Sequence, residues 1–335
     1  MQTKKLLFTL IMGCATLFTF SQEKESSGYP SFSFDGILKN KFEYVPGTET
    51  FRFDVRNSRL GIKGKIFPMV SYRAQVELSN EGKFQVLDLS GTLHPYKGLS
   101  FTFGQTSVPI FNSYTTNPGT MMFANRTFLA KYYAGTRDIG LLSNYQFNVG
   151  EVPVGIDFGI FNGNTTNSPE WTKNISYSAR LSVGGMKGLR STVKVYDYPR
   201  NEETHYFMYG ADIRYEADNW KIETEAMQRD DRVYHKDLFS TYIQGSYCFR
   251  LNEKNLFKSI MPAARYDLID QFKNDDQIDV SRFTLGVGFG LGKKAFNSML
   301  RFDYEWYFVN NPLDFLQKYE EMDKDKFTVE LVYVF

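Results

Sequence analysis

The last ten residues, 326-KFTVELVYVF-335, read as one β-strand. Phe327, Val329, Leu331, Tyr333 and Phe335 share one face at a period of two. Lys326, Thr328 and Glu330 take the other, with Val332 and Val334 diluting it. The ends of soluble domains are mostly polar and frayed. A strand that keeps its pattern up to a terminal aromatic ring is expected to belong to a sheet that closes on itself, so that the last strand pairs with the first.

The same alternation recurs along the chain. Phe32, Phe34, Leu38, Phe42 and Tyr44 alternate with Ser33, Asp35, Lys39, Lys41 and Glu43. Tyr72, Ala74, Val76 and Leu78 alternate with Arg73, Gln75 and Glu77. Leu300, Phe302, Tyr304, Trp306 and Phe308 alternate with Arg301, Asp303 and Glu305. Counting all such segments gives about 16 strands, an even number, as single-chain bacterial barrels have. One phase slip stands out: Phe51, Phe53 and Val55 have the opposite parity from Leu60 and Ile62, which implies a bulge or a strand that rises above the membrane.

The connections sort into two sets. Short turns are expected at 67–69, 95–98, 148–151, 184–188, 217–219 and 292–297, with 251–259 longer than its set. Longer loops are expected at 45–50, 80–83, 162–174, 197–204, 229–237, 271–278 and 310–325, and the longest at 109–136, the third of its set. No helical periodicity of useful length and no domain linker is evident.

Composition fits a wall between two solvents. The aromatic share is 17%, yet mean hydropathy is −0.38. A chain is both aromatic-rich and polar when one face of each strand meets lipid and the other meets water. Residues 1–21 read as a signal peptide, with a basic start at Lys4 and Lys5 and an apolar run to Phe20, leaving a single domain over 22–335. A competing reading makes Cys14 a lipidation site. With the segment removed, 37 basic residues (39 less Lys4 and Lys5) face 38 acidic ones, and nothing argues for nucleic acid. Cys248 would then have no intrachain partner, which excludes a disulfide scaffold.

Motifs for chemistry are poor. There is no phosphate-cradling glycine loop, no G-x-S-x-G and no H-E-x-x-H. His94, His205 and His235 fall in or beside turns and loops, without a serine pair to nominate. Asp275-Asp276 and Glu320-Glu321 read as solvated loop acids. No enzyme, metal or cofactor is expected.

Six stretches together resemble the phosphate-selective porin O and P family in its Bacteroidetes-type form: RNSRLGIKGKI (56–66), LSFTFGQTSVPIF (99–111), RDIGLLSNYQF (137–147), GIFNGN (159–164), MPAARYDLID (261–270) and SRFTLGVGFGL (281–291). The resemblance implies a transmembrane antiparallel β-barrel of 16 strands, a homotrimer in the outer membrane of a Gram-negative bacterium, and a third loop folded into the lumen. It also implies a basic ladder and a lysine cluster on that loop, and this sequence matches these only in part. By parity Arg59, Lys63, Lys65, Arg73, Arg180, Arg214, Arg265, Arg282 and Arg301 point inward, and so do Asp35, Glu77, Asp88, Asp157, Asp212, Glu223, Glu225, Asp267, Asp303 and Glu305. The third loop carries Arg126 and Lys131 and no acid. Fixed charge at a constriction sets ion selectivity, so weak anion preference is expected, with phosphate as the narrower case. The loop aromatics Phe111, Tyr114, Phe123, Phe128, Tyr132 and Tyr133 are expected to pin the loop to the wall. The function expected is passive diffusion of small hydrophilic solutes. The alternative is a narrow or plugged barrel acting in binding or adhesion through its outer loops.

Overall fold

The computed structural model describes residues 28–55, 57–78, 83–112, 116–133, 137–164, 166–272, 277–294, 296–313 and 324–335, and the backbone alone of Tyr132. The expected signal peptide, Cys14, Tyr114, the Tyr132 side chain, Asp275-Asp276 and Glu320-Glu321 lie outside them.

The chain forms one closed antiparallel sheet. Its wall strands are β1 (Ser33–Val45), β2 (Thr50–Val55 continued by Ser58–Phe67), β3 (Val70–Leu78), β4 (Phe84–Tyr96), β5 (Leu99–Ser107), β6 (Arg137–Val149), β7 (Val152–Phe161) and β8 (Ser176–Val183). They continue as β9 (Gly188–Asn201), β10 (Thr204–Glu216), β11 (Trp220–Asp231), β12 (Leu238–Tyr247 continued by Phe249–Arg250), β13 (Ser259–Asp270), β14 (Val280–Gly290), β15 (Met299–Val309) and β16 (Lys326–Val334). The two halves of β2 pair with the same strand, β1, and the two halves of β12 with the same strand, β13, so each counts once and the wall has 16 strands.

The wall closes where β1 meets β16, from Ile37 opposite Val334 to Tyr44 opposite Phe327. Phe335 extends the seam by one rung, its N–H donating to the Gly36 carbonyl at 3.1 Å and its own carbonyl accepting from Gly36 N–H at 2.9 Å. A glycine lets the Phe335 ring lie over the seam: a Cβ on residue 36 would stand 2.2 Å from it and push it aside. Closure also satisfies the edge groups that hydrocarbon cannot solvate.

Alternation sorts the faces as the sequence implied. Phe34, Leu60, Phe103, Leu189, Ile213 and Leu285 are exposed outward. The charged partners of the pattern, including Lys39, Asp88, Asp212, Arg282 and Glu305, are buried inside. An apolar outer face of this extent is a surface for hydrocarbon rather than for water. The phase slip is a break between the halves of β2, where Asn57 takes φ 56° in the left-handed region. It returns Arg59 to the inside after Phe53 and Val55 have pointed out.

Two expectations need correcting. The outer connection expected at 197–204 is a two-residue turn, because β9 runs on to Asn201 and β10 begins at Thr204. Tyr198 pairs with Tyr206 across it, and Pro199 is absorbed at a register irregularity. The valines that dilute the inner face of β16 are not incidental. Val332 is fully buried in an inner apolar cluster with Ile37, Cys248, Met261, Phe296 and Met299, against which Val334 packs. Beside β1, β13, β15 and β16 the short-turn end is therefore lined inside by apolar packing.

If the Gly36–Phe335 contact holds the seam, Gly36→Val should lower barrel stability by about 1–3 kcal/mol through overpacking. The check is the urea midpoint of the folded barrel, with Gly28→Val, where a Cβ meets nothing within 4 Å, as the unaffected control.

Candidate pore constriction

The segment between β5 and β6 never returns directly to its own neighbourhood. Its backbone is bonded, residue after residue, to inner-face side chains of strands as far round the wall as β1. Three of its N–H groups donate to wall carboxylates: Asn112 to Glu225 Oε1 at 2.9 Å, Ala124 to Asp303 Oδ2 at 2.7 Å and Phe128 to Asp267 Oδ2 at 3.0 Å. Six of its carbonyls accept from wall cations. Lys221 reaches Thr120 at 2.7 Å, Arg301 Met121 at 2.6 Å and Lys39 Ala124 at 3.4 Å. Arg265 reaches Asn125 at 2.9 Å, Arg282 Arg126 at 2.8 Å and Arg229 Tyr133 at 3.1 Å. Charge-assisted bonds of this kind are short and about twice as strong as neutral ones.

Local sequence shapes the segment for this role. Asn117 accepts from Gly119 N–H and starts a single 3-10 turn at Pro118. Thr127 caps the five-residue helix α1 (Phe128–Tyr132) by accepting from Ala130 N–H. The expected aromatic packing is present among the described residues. Phe111, Phe128, Leu129 and Tyr133 are buried against inner-wall Tyr196, Met208, Met227, Leu238, Tyr242, Ile269 and Val280. Phe123 and the Asp303 carboxylate both crowd Gly286, where a Cβ would stand 2.4 Å from Asp303 Oδ1 and 3.1 Å from the ring, which accounts for one of the glycines alternating along β14.

The wall charges behind this segment form a connected ionic lattice. Arg282 spans Asp267 at 2.7 Å and Glu305 at 3.0 Å, and Arg265 also meets Glu305 at 3.3 Å. Lys326 links Glu305 to Glu43, and Lys39 and Arg301 share Glu330. Farther round, Lys194 binds both Asp212 and Glu225. Among the described residues, Arg265, Arg282 and Arg301 are the largest fully buried side chains. All three clamp the segment, which differs from the lumen-lining role expected of Arg282 and Arg301, while Arg265 also borders the open space on the segment's other side.

Open space lies on the segment's other side. A cavity of about 300 Å³ is bounded by Arg126, Thr116, Asn117 and Thr127 of the segment and by Arg59, Arg73, Gln75, Asp88 and Arg137 of β2, β3, β4 and β6. Arg59 donates from Nε to Glu77 at 2.6 Å. Arg73 bridges Asp35 and Asp88, and Arg137 donates to the other oxygen of Asp88 at 3.0 Å. With Arg265, five arginines border the cavity against the acids Asp88, Glu223 and Glu225. Glu225 is already held by Lys194 and the Asn112 N–H. Glu223 is held by Gln244, with Arg214 and Lys221 beside it.

The sequence-derived residues thus part company. Arg59, Arg73, Arg126 and Arg265 border one cavity. Lys131 sits on α1 and is not among its lining residues. Arg214 donates to Thr116 Oγ1. Arg180 lines a second cavity of about 960 Å³ at the short-turn end, with Arg190 and Asp157. Lys63, paired with Asp35 at 3.1 Å, and Lys65 are exposed. The sequence reading missed Arg137, the first residue of β6, where parity had no preceding register to extend. It placed Lys39, Lys41 and Lys326 on the polar face of their strands without counting them among the inward basic residues, and it did not name Lys194 or Lys221, whose parity is also inward.

No known family model matches the chain, and no curated protein matches it. Solved structures do match in fold. OmpF of Salmonella typhi, in complex with daunomycin, superposes at TM-score 0.64 and 13% identity over 91% of this chain and 97% of that one. An OmpT loop L8 deletion mutant from Vibrio cholerae, an outer membrane protein, gives 0.62 at 11% identity over 91% and 99%. An anion-selective porin from Comamonas acidovorans gives 0.60 at 13% identity over 91% and 99%.

The clamp has a measurable consequence. Asp267→Ala removes the Phe128 N–H acceptor and one of the two carboxylates that hold Arg282, leaving Glu305 as the other, so stability should fall by about 1–3 kcal/mol. Denaturant unfolding reads this. Limited proteolysis should show new cleavage inside 108–136 under conditions where the parent chain is intact.

Proposed function

We propose that this protein is a porin of a Gram-negative outer membrane, passing small hydrophilic solutes by passive diffusion with a weak preference for anions. In this reading segment 108–136 is the third loop, folded into the lumen, and the 300 Å³ cavity is the narrowest part of the water path. The observation that carries the reading is the charge bordering that cavity: five arginines against three acids, all three acids being held by other groups and Arg59 and Arg265 also paired with Glu77 and Glu305. Fixed charges at a constriction decide which ion enters, and screening over about 8 Å keeps distant wall charge from counting. The fold shared with porins, one described as anion-selective, supports the reading.

Phosphate is the narrower reading, and it draws on the resemblance to the phosphate-selective family. Tight oxyanion sites use several converging donors. Here Arg59, Arg73 and Arg137 are each shared with Glu77, Asp35 or Asp88, so phosphate is taken as one anion among others. Homotrimer assembly, with outer-membrane lipid around it, belongs to the same resemblance. The mechanism needs no covalent step: the loop sets the size limit, and Arg59, Arg73, Arg126 and Arg137 set the sign.

Planar-bilayer recording under a KCl gradient tests this. Large open steps should reverse on the chloride side, and Arg73→Glu with Arg126→Glu should carry the reversal potential to the potassium side. Low phosphate should not block. A cation-side reversal in the parent chain would contradict the anion preference, and a folded barrel without steps would favour the plugged binding protein.

A further inference from the structure

The short-turn end has one feature that solute passage does not use. Its two longest connections, 251–258 and 291–298, are neighbours and are tied together. Lys293 pairs with Glu253 at 2.9 Å, and Lys258 N–H donates to the Gly290 carbonyl at 2.7 Å. Arg250 stitches in the adjoining turn, reaching the Lys293 and Asp218 carbonyls and Asn219 Oδ1. The platform carries Arg250, Lys254, Lys258, Lys293 and Lys294, against Glu253 and Asp218, with Lys187 opposite Asp218 at 3.8 Å.

The platform reaches both faces: Phe296 is buried in the inner apolar cluster, while Phe257 leans onto the outer apolar face. The Phe257 ring packs on Phe289, 5.2 Å between centroids, and Phe289 packs on Phe302, both outward residues. Phe249 stacks edge-on with Tyr247, which meets Trp220 in the same way. Leu256 is 76% exposed. Apolar rings at the boundary with lysines beside them are the chemistry of an interface with anionic headgroups.

We propose that this platform binds anionic phospholipid in the membrane leaflet at the short-turn end. Lys254 and Lys294 meet the phosphate, while Leu256 and Phe257 rest in the acyl boundary. The inference rests on the membrane reading above, with short turns on the periplasmic side. Its occupant follows from charge complementarity and from continuity with the outward apolar wall. A cell-wall polymer would call for basic groups directed away from that wall.

The test uses Trp220 as the reporter, in a Trp171→Phe/Trp306→Phe background, since these are the chain's three tryptophans. The barrel is refolded into brominated phosphatidylcholine, and phosphatidylglycerol is titrated in against it. In the parent background phosphatidylglycerol should relieve quenching on the order of 25-fold more effectively than unbrominated phosphatidylcholine, at roughly fivefold for each of the two lysines. Lys254→Glu/Lys294→Glu should bring the ratio to about one, with bilayer conductance unchanged because neither residue borders the cavities. Equal displacement by both lipids in the parent would overturn the proposal, and so would charge-reversal-sensitive binding to purified peptidoglycan without lipid preference. Conductance on the same sample reports the porin reading separately: lipid preference without current would leave the platform standing and sink the pore.

Discussion

A buried charge must be paired and bonded, and the interior of this barrel depends on that constraint. Half the wall carries arginine, lysine, aspartate and glutamate on a face that segment 108–133 removes from solvent. Taking even paired ions out of water costs several kcal/mol each unless the remaining donors and acceptors are met. The ion pairs meet only part of the requirement. Backbone meets more of it: among the described residues, three segment N–H groups and six carbonyls add bonds to Glu225, Asp303, Asp267 and the cations around them, while Asp303 Oδ1, Arg265 Nε and Arg301 Nε stay buried without a hydrogen bond. Wall and segment are thus conditions for each other. Without the lattice the segment has no fixed course, and without the segment the lattice is an unfinished set of charges.

The asymmetry of the interior follows. Because the segment lies against β9 to β16 and β1, the inward arginines there are bonded to it, and the cavity opens toward β2, β3, β4 and β6, with Glu223, Glu225 and Arg265 at its far edge. Arg59, Arg73 and Arg137 differ from Arg282 and Arg301 in what faces them, not in residue type or in strand parity. Parity alone could place a charge inside; it could not say whether that charge meets water or the loop.

The boundary of what could be read from sequence runs along the same line. Period-two alternation, the even strand number, the slip before Asn57 and the pairing of the last strand with the first were all legible, because side-chain direction in a strand is fixed by the pleat. The pinning of the loop by Phe111, Phe123, Phe128 and Tyr133 was legible from their apolarity. The clamp was not, because it is made with backbone groups, and a backbone N–H at Ala124 or Phe128 leaves no mark on the sequence. The 197–204 turn was misjudged because Pro199 and the charged residues around it imitate a loop, while the Tyr198–Tyr206 pair, which extends the sheet, is visible only once the register is known.

The central claim is that the segment bounds the water path from inside the barrel, and a single cysteine tests it most directly. Asn117 is exposed, borders the cavity and lies between two clamp points, while the native Cys248 is buried. Asn117→Cys channels in a bilayer should lose a large part of their single-channel current when a small charged thiol reagent is added, and recover it on reduction. If the cysteine is labelled and the current does not change, the segment lies outside the path and the account of the constriction is wrong.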